Sequence, residues 1–321
     1  MTIEKIREPA MTIDGSGTSF ATCVLAPNPS PMTLEGTNTW LIAAPGSSSA
    51  LVVDPGPEDD GHLRRVVERA AETGRRVAQI LLTHGHSDHS AGARRLAVLT
   101  GAPVRAADPA HRLGSEGLAD GDVVTAAGCE LRVIGTPGHS ADSLSLLLPQ
   151  DAALLTGDTV LGRGTTVIAG GGSLADYLRS LDAMKALADT ASVRALLPGH
   201  GPVVSDPGST LTYYIEHRAE RLTEIRAALA AGDTTAQQIV ARVYRDVDPG
   251  VRQFAELSVQ AQLDYLATVG LGRPGHPPRH QGARLRGASG RACAGARYRR
   301  SAPNVPKFAA SRGRQSPRAP C

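Results

Sequence analysis

Val77-Ala-Gln-Ile-Leu-Leu-Thr83-His84-Gly85-His86-Ser87-Asp88-His89 is the stretch on which the reading of this chain turns. Its first part is a short apolar run with the length of a buried strand. Its last six residues hold four side chains able to ligate a cation: His84, His86, Asp88 and His89. A loop at the end of a buried strand can aim several such groups at one point, at a density that a regular strand or helix does not offer. Neutral imidazoles and carboxylates suit zinc and its neighbours. A shell of nitrogen and oxygen donors also suits a catalytic site, which keeps coordination positions open for water.

Three more candidates follow, each where an extended segment runs into a glycine-rich turn. They are His139 in Thr136-Pro-Gly-His-Ser140, Asp158 in Leu155-Thr-Gly-Asp-Thr159 and His200 in Pro198-Gly-His-Gly201. The neighbouring glycines permit sharp bends beside a metal. Five of the ten histidines thus fall into one ordered series. His62, His111 and His217 sit in ordinary helical or loop contexts and are expected to be solvated, and His276 and His280 belong to the C-terminal tail. Cys129 reads as a core-facing strand residue. Neither a Gly-x-Ser-x-Gly elbow nor a glycine-rich loop ending in Lys-Ser/Thr occurs, so serine-hydrolase and P-loop chemistry lack support.

Outward from this stretch, residues 17–54 read as β-structure, with runs at Gly36–Ala44 and Ser49–Gly56 parted by Pro45-Gly46. A helix is expected over Gly61–Thr73, a second over Ala91–Thr100, and a third from the capping box at Ser173 to about Ala188. Strands are expected at Pro103–Ala106, Asp122–Thr125, Glu130–Ile134, Ser143–Leu148, Ala152–Thr156 and Val193–Leu197. Two packed sheets flanked by helices account for this order. From about Thr210 the pattern becomes helical alone, with an apolar stripe at Tyr214, Ile215, Leu222, Ile225 and Leu229. A capping box at Thr234–Gln237 and a helix over Arg252–Thr268 follow.

The ordered series HxHxDH, His, Asp, His resembles the metallo-β-lactamase superfamily over residues 17–205. The resemblance implies an α/β fold, an αββα sandwich, followed by a small helical, winged-helix-like domain. It divides the chain into a catalytic domain (1–208), the helical domain (209–270) and a basic tail (271–321) expected to be disordered. Carried over residue by residue, His84, His86 and His139 would bind one metal, Asp88, His89 and His200 a second, and Asp158 would bridge them. Asp54, in the Asp-Pro-Gly that ends an earlier strand, matches a buried carboxylate that orients ligands. Two zinc ions are the implied cofactor, with manganese or iron compatible with the same donors. Two metals in such a site share and ionise a water that attacks carbonyl or phosphorus, and Asp88 is the catalytic residue implied to orient it or to pass a proton.

Within the superfamily, Met32–Trp40, the His-Ser-Asp-His-Ser-Ala-Gly run and Ile239–Tyr244 are most similar to the subgroup holding glyoxalase-II-like hydrolases and the endoribonuclease β-lactamase-like protein 2. Only 41 residues separate Asp158 from His200, too few for the inserted domain of the RNA-processing β-CASP nucleases. Three functions follow as alternatives: hydrolysis of a small acyl substrate (thioester or lactam), cleavage of single-stranded RNA, and nucleic-acid binding through the helical domain.

Charge and composition weigh among them. Residues 271–321 carry eleven Arg, one Lys and no acid, so residues 1–270 hold 22 Lys and Arg against 31 Asp and Glu, a formal −9. An acidic body with 3 % aromatics favours the acyl reading over a base-stacking platform, while the basic tail is the feature that could contact a nucleic-acid backbone. The four cysteines, Cys23, Cys129, Cys293 and Cys321, show no framework spacing. With no signal-like or membrane-spanning run, a soluble cytoplasmic protein is expected.

Overall fold

The computed structural model describes residues 12–169, 171–245 and 252–270. Two five-stranded sheets form its centre. The first contains, in spatial and chain order, β1 (Ala21–Leu25), β2 (Asn38–Ile42), β3 (Ser49–Val53), β4 (Arg76–Leu81) and β5 (Val104–Arg105). β1 to β3 pair antiparallel, and β3 to β5 parallel. The second has the order β10-β9-β8-β7-β6, from β6 (Val123–Ala126), β7 (Cys129–Gly135), β8 (Leu144–Leu148), β9 (Ala153–Gly157) and β10 (Ala195–Pro198). Only β9 and β10 pair parallel there.

The layering can be read from the period-2 alternation of single strands. In β8, Leu146 and Leu148 point into the core between the sheets, while Leu147 points the other way into a second core. In β9, Ala153 and Leu155 oppose Leu154, and in β10, Leu197 opposes Leu196, in the same manner. The outer face of the second sheet is covered by α4 (Leu174–Thr190), α5 (Pro207–Ala230), α6 (Ala236–Val243) and α7 (Arg252–Val269), whose buried residues join that second core. Helices α1 (Asp60–Glu72) and α3 (Ala93–Thr100) cover the first sheet through Leu63, Val66, Ala70 and Leu96. Sheets covered on both faces explain why every residue of β2, β8 and β9 is buried.

Helix starts follow their caps. The Asp59 side chain accepts the His62 N–H at 2.7 Å to open α1, and the Ser173 side chain accepts the Asp176 N–H to open α4. The capping box of α6 lies one residue later than expected, at Thr235 and Gln238 rather than Thr234 and Gln237. That register turns Ile239 and Val240 into the core. Strand ends elsewhere differ from expectation by up to three residues, the largest difference being β3, which ends at Val53 rather than Gly56. The tail from residue 271, expected to be disordered, lies outside the described residues. Among the described residues no helix is long and apolar enough to cross a membrane.

Candidate metal centre

Each ligand candidate leaves the end of a strand, and the ends meet at one edge of the sandwich. His84 and His86 follow β4, His139 lies between β7 and β8, Asp158 follows β9 and His200 follows β10. The segment after β4 is not loop throughout. Ser87–Ser90 forms one helical turn, α2, which carries Asp88 and His89. A loop therefore aims His84 and His86, and a helical turn rotates the next two ligands to the opposite side of the same point.

The register of β9 against β10 pairs Gly157 with Pro198 and sets Asp158 beside the His200 turn. That approach requires glycine at 199. A Cβ there would stand 2.5 Å from Asp158 Oδ1 and 2.7 Å from His89 Cε1. The first sheet holds the same turn from the other side. The Asn38 N–H donates to the Gly199 carbonyl (2.8 Å), Asn38 Nδ2 to the carbonyls of Pro198 (3.0 Å) and Gly201 (2.8 Å), and Trp40 Nε1 to Pro198 (3.0 Å).

All seven candidates are brought together. Donor atoms of His84, His86 and His139 lie within 4.8 Å of one another, as do those of Asp88, His89 and His200. Asp158 lies between the two groups, with carboxylate oxygens 3.3 Å from His89 Nε2, 3.4 Å from His200 Nε2 and 3.7 Å from His139 Nε2. His89 and His200 are buried, whereas Asp88 keeps 30 % of its side chain exposed.

Partners of the distal ring nitrogens fix the proton positions. His89 Nδ1 donates to Asp54 Oδ2 (2.9 Å), His200 Nδ1 to the Gly36 carbonyl (3.1 Å) and His139 Nδ1 to the Val167 carbonyl (2.9 Å). The Thr83 hydroxyl donates to Asp54 Oδ2 at 2.6 Å, so it accepts from His84 Nδ1 at 3.0 Å. Four rings therefore turn an unprotonated Nε2 inward. Those of His89 and His200 face each other at 3.2 Å, and those of His84 and His139 converge on His86 Nδ1 at 3.1 and 2.9 Å. Lone pairs at these separations need a cation between them. Asp158 Oδ1, buried and with no hydrogen-bond donor directed at it, has the same need. The donor set fits divalent metal.

Asp54 also lies within reach of His84 and His89, but both of its oxygens are already engaged by donors. Oδ1 accepts the Thr83 N–H (2.8 Å), and Oδ2 accepts both the Thr83 hydroxyl and His89. With three of its roughly four lone-pair sites taken, it is suited to orienting ligands. Its backbone φ of 53° is unusual for a residue other than glycine, and these bonds hold it there.

Without a metal, a proton takes the cation's place. Burial works against charging His200, but Asp158 and then Asp88 outweigh it and carry its pKa up to about 9. Burial likewise opposes charging His89, where Asp158 and Asp54 prevail and raise it well above the ordinary value. His84 goes the other way, held well below the ordinary value by burial and by its neighbour His89. A raised pKa means that His200 carries its extra proton below about pH 9, and metal has to expel it. Metal affinity should therefore rise about tenfold per pH unit, for each proton expelled, as pH climbs toward that value. Calorimetric titration in buffers of different ionisation enthalpy would show the proton release; a binding heat identical in all buffers would contradict it.

Of the three histidines expected to be solvated, one is buried and two are half-buried. His62 is buried with Nε2 2.9 Å from the Thr39 hydroxyl, which itself donates to the Asp54 carbonyl. Burial first, then Arg65, lowers His62 to about 4, so it supports Asp54 as a neutral ring. His111 is half-buried, its Nε2 2.6 Å from the place a Cβ would take on Gly85, between two ligands. His217 is half-buried on α5, where Arg221 Nε donates to it at 3.4 Å. Asn38, Trp40 and Thr83 are the supporting residues that sequence reasoning did not single out.

Comparison with known proteins agrees with this geometry. Residues 32–200 match the family described as the metallo-beta-lactamase superfamily, and residues 235–271 match the beta-lactamase associated winged helix domain. The chain is 34 % identical over 262 residues to a beta-lactamase-like protein 2 homolog of Caenorhabditis elegans, covering 78 % of this chain and 85 % of that one. It is 32 % identical over 210 residues to an atrochrysone carboxyl ACP thioesterase of Aspergillus fumigatus, covering 64 % of each. A crystal structure of a metallo-beta-lactamase family protein from Thermus thermophilus shares the fold, with a TM-score of 0.65, 24 % identity, and coverage of 79 % of this chain and 96 % of that one. A helix–sheet–sheet–helix sandwich with its His/Asp cluster at one edge, followed by a winged-helix domain, places this chain in the metallo-beta-lactamase superfamily of metal-dependent hydrolases.

Proposed function

We propose that this hydrolase acts on an acyl substrate, a thioester or lactam-like carbonyl compound, at a two-metal site. His84, His86 and His139 would hold one ion, Asp88, His89 and His200 the other, and Asp158 both. Zinc is the proposed metal, and manganese and iron suit the same donors. When bound, such ions lower the pKa of water toward neutrality and polarise a carbonyl oxygen.

The remaining steps belong to the chain. Asp88 is the most exposed carboxylate of the cluster, and although burial pushes its pKa up, the His200 hydrogen bond and His89 hold it below the usual value. An ionised, accessible carboxylate can orient an attacking water, take its proton and return it to the leaving group. Asp54 and the carbonyls of Gly36 and Val167 hold the rings against rotation during turnover.

One observation carries the acyl reading over the phosphodiester one: apolar side chains lie beside His200, and the cation there is already paired. Leu34 Cδ1 lies 3.0 Å from the place a Cβ would take on Gly201, and Met32, two residues away, is exposed. The nearby cation Arg163 is engaged by Glu35 at 2.6 Å, while Arg112 donates to the carbonyls of Ala106 and Ala107. The division into a catalytic domain (1–208) and a helical domain (209–270) belongs to the same proposal.

A hydrolysis panel of a thioester, a nitrocefin-type lactam, a simple phosphodiester and single-stranded RNA, run on protein of measured metal content, tests the reading. Turnover is expected on the thioester or the lactam and to vanish with chelation. Cleavage of RNA with both acyl substrates untouched would transfer the site to the nuclease reading. RNA binding that survives chelation, with no turnover of any substrate, would favour the binding module.

A further inference from the structure

A buried arginine in the helical region reaches the loop that carries Asp158 and supplies the carbonyl on which His139 rests. Arg218 lies on α5, within the buried stripe of Leu211, Tyr214, Leu222 and Ile225, where the sequence pattern calls for an apolar side chain. It is 3 % exposed, and its Nε has no hydrogen-bond partner. Its guanidinium lies 5.0 Å from the centroid of the Tyr177 ring and donates through a terminal nitrogen to the Thr166 carbonyl at 2.5 Å. Removing a guanidinium from water costs several kcal/mol unless the site returns it, and a carbonyl and a ring face return it only in part.

The position of Thr166 makes that bond consequential. Its hydroxyl donates to the backbone carbonyl of Asp158. The next carbonyl along the chain, that of Val167, receives His139 Nδ1 at 2.9 Å. The residue fixed by Arg218 thus sets both the backbone from which Asp158 projects and the acceptor that orients the His139 ring. The rest of the loop is held by other phenols: Tyr177 donates to the Thr159 carbonyl at 2.7 Å, and the Tyr214 hydroxyl accepts the Leu161 N–H at 2.9 Å. Neither reaches Thr166.

We propose that Arg218 is a positioning residue for the metal centre, acting through Thr166 on Asp158 and His139, so that α5 helps to set the geometry of the ligands. The proposal rests on the ligand assignment above but not on the substrate. Its readout needs no substrate, so its failure is distinguishable from failure of the acyl reading.

The test is metal affinity by chelator competition, with the visible ligand-field spectrum of the cobalt(II)-substituted protein, on Arg218→Met, Thr166→Val and the double variant. Partners behind the ligands typically contribute about 10–100-fold in metal affinity, and a loss in that range with a changed cobalt spectrum is expected for each single variant. Because the two residues act in series, the double variant should lose little more than the weaker-binding single variant. Additive losses would overturn the relay. So would lowered thermal stability with unaltered affinity and spectrum, the signature of a merely structural arginine. If Arg218→Met fails to fold, Thr166→Val decides alone, and wild-type affinity there overturns the proposal.

Discussion

Asp158→Asn is expected to empty both proposed ion positions and to lower turnover by about 10³-fold or more, because the reaction forfeits an ionised water near neutral pH. Asp158 lies 3.3 to 3.7 Å from three inward ring nitrogens drawn from both groups of histidines. Burial alone would push its pKa up, yet His200 and His89 keep it well below the usual carboxylate range. It is thus the fixed negative charge of the centre. The asparagine amide is isosteric and neutral. Its N–H groups can donate to the ring lone pairs and so occupy the positions that a cation would take. Since the carboxylate also supports the high pKa of His200, the metal-free variant should show that histidine titrating lower in an NMR pH titration. Elemental analysis, activity and the His200 titration form one experiment. Wild-type metal content with wild-type turnover would refute the assignment of Asp158. The same measurements on His86→Ala and Asp88→Ala separate one ion position from the other.

How much of this centre could be read from the chain depends on whether the controlling distances are local. The ligands announce themselves because His84, His86, Asp88 and His89 are crowded into six residues and the later three stand in glycine-rich turns. Strands were legible through apolar runs, and layering followed once the alternation of Leu146, Leu147 and Leu148 could be placed. Misreadings concern residues whose environment is made by distant elements. His62 looks like any polar residue on a helix, yet its ring is buried against Thr39 and the turn at Gly56. Arg218 interrupts an apolar stripe, and nothing local reveals that a carbonyl 52 residues away receives it. Asn38 and Trp40 read as ordinary β-residues, although their side chains bind a turn about 160 residues later. The helical turn at Ser87–Ser90 is too short for periodicity to reveal.

Asp54→Asn should be the most damaging change outside the seven proposed ligands, and its effect can be traced bond by bond. Asp54 receives three donors: the Thr83 N–H, the Thr83 hydroxyl and His89 Nδ1. If the asparagine carbonyl keeps the Thr83 N–H, its amide nitrogen faces the hydroxyl and the imidazole, both of which were donating. His89 must then accept at Nδ1, and its proton moves to Nε2, the nitrogen that faces His200 and Asp158. The displaced Thr83 hydroxyl turns toward His84 Nδ1, 3.0 Å away, and drives the same tautomer change there. One neutral substitution thus reverses two rings, one in each histidine group. If the amide flips, its nitrogen opposes the Thr83 N–H instead, and a buried donor is left unpaired at a cost of about 1–3 kcal/mol. Either outcome should weaken metal binding by about 10–100-fold, with the midpoint of urea unfolding lowered in the second case. Chelator competition beside urea unfolding discriminates these outcomes from the contrary one. A variant that lost stability but bound metal as the parent does would show that Asp54 only braces the β3–β4 edge, and that the imidazole protons are set by something other than this carboxylate.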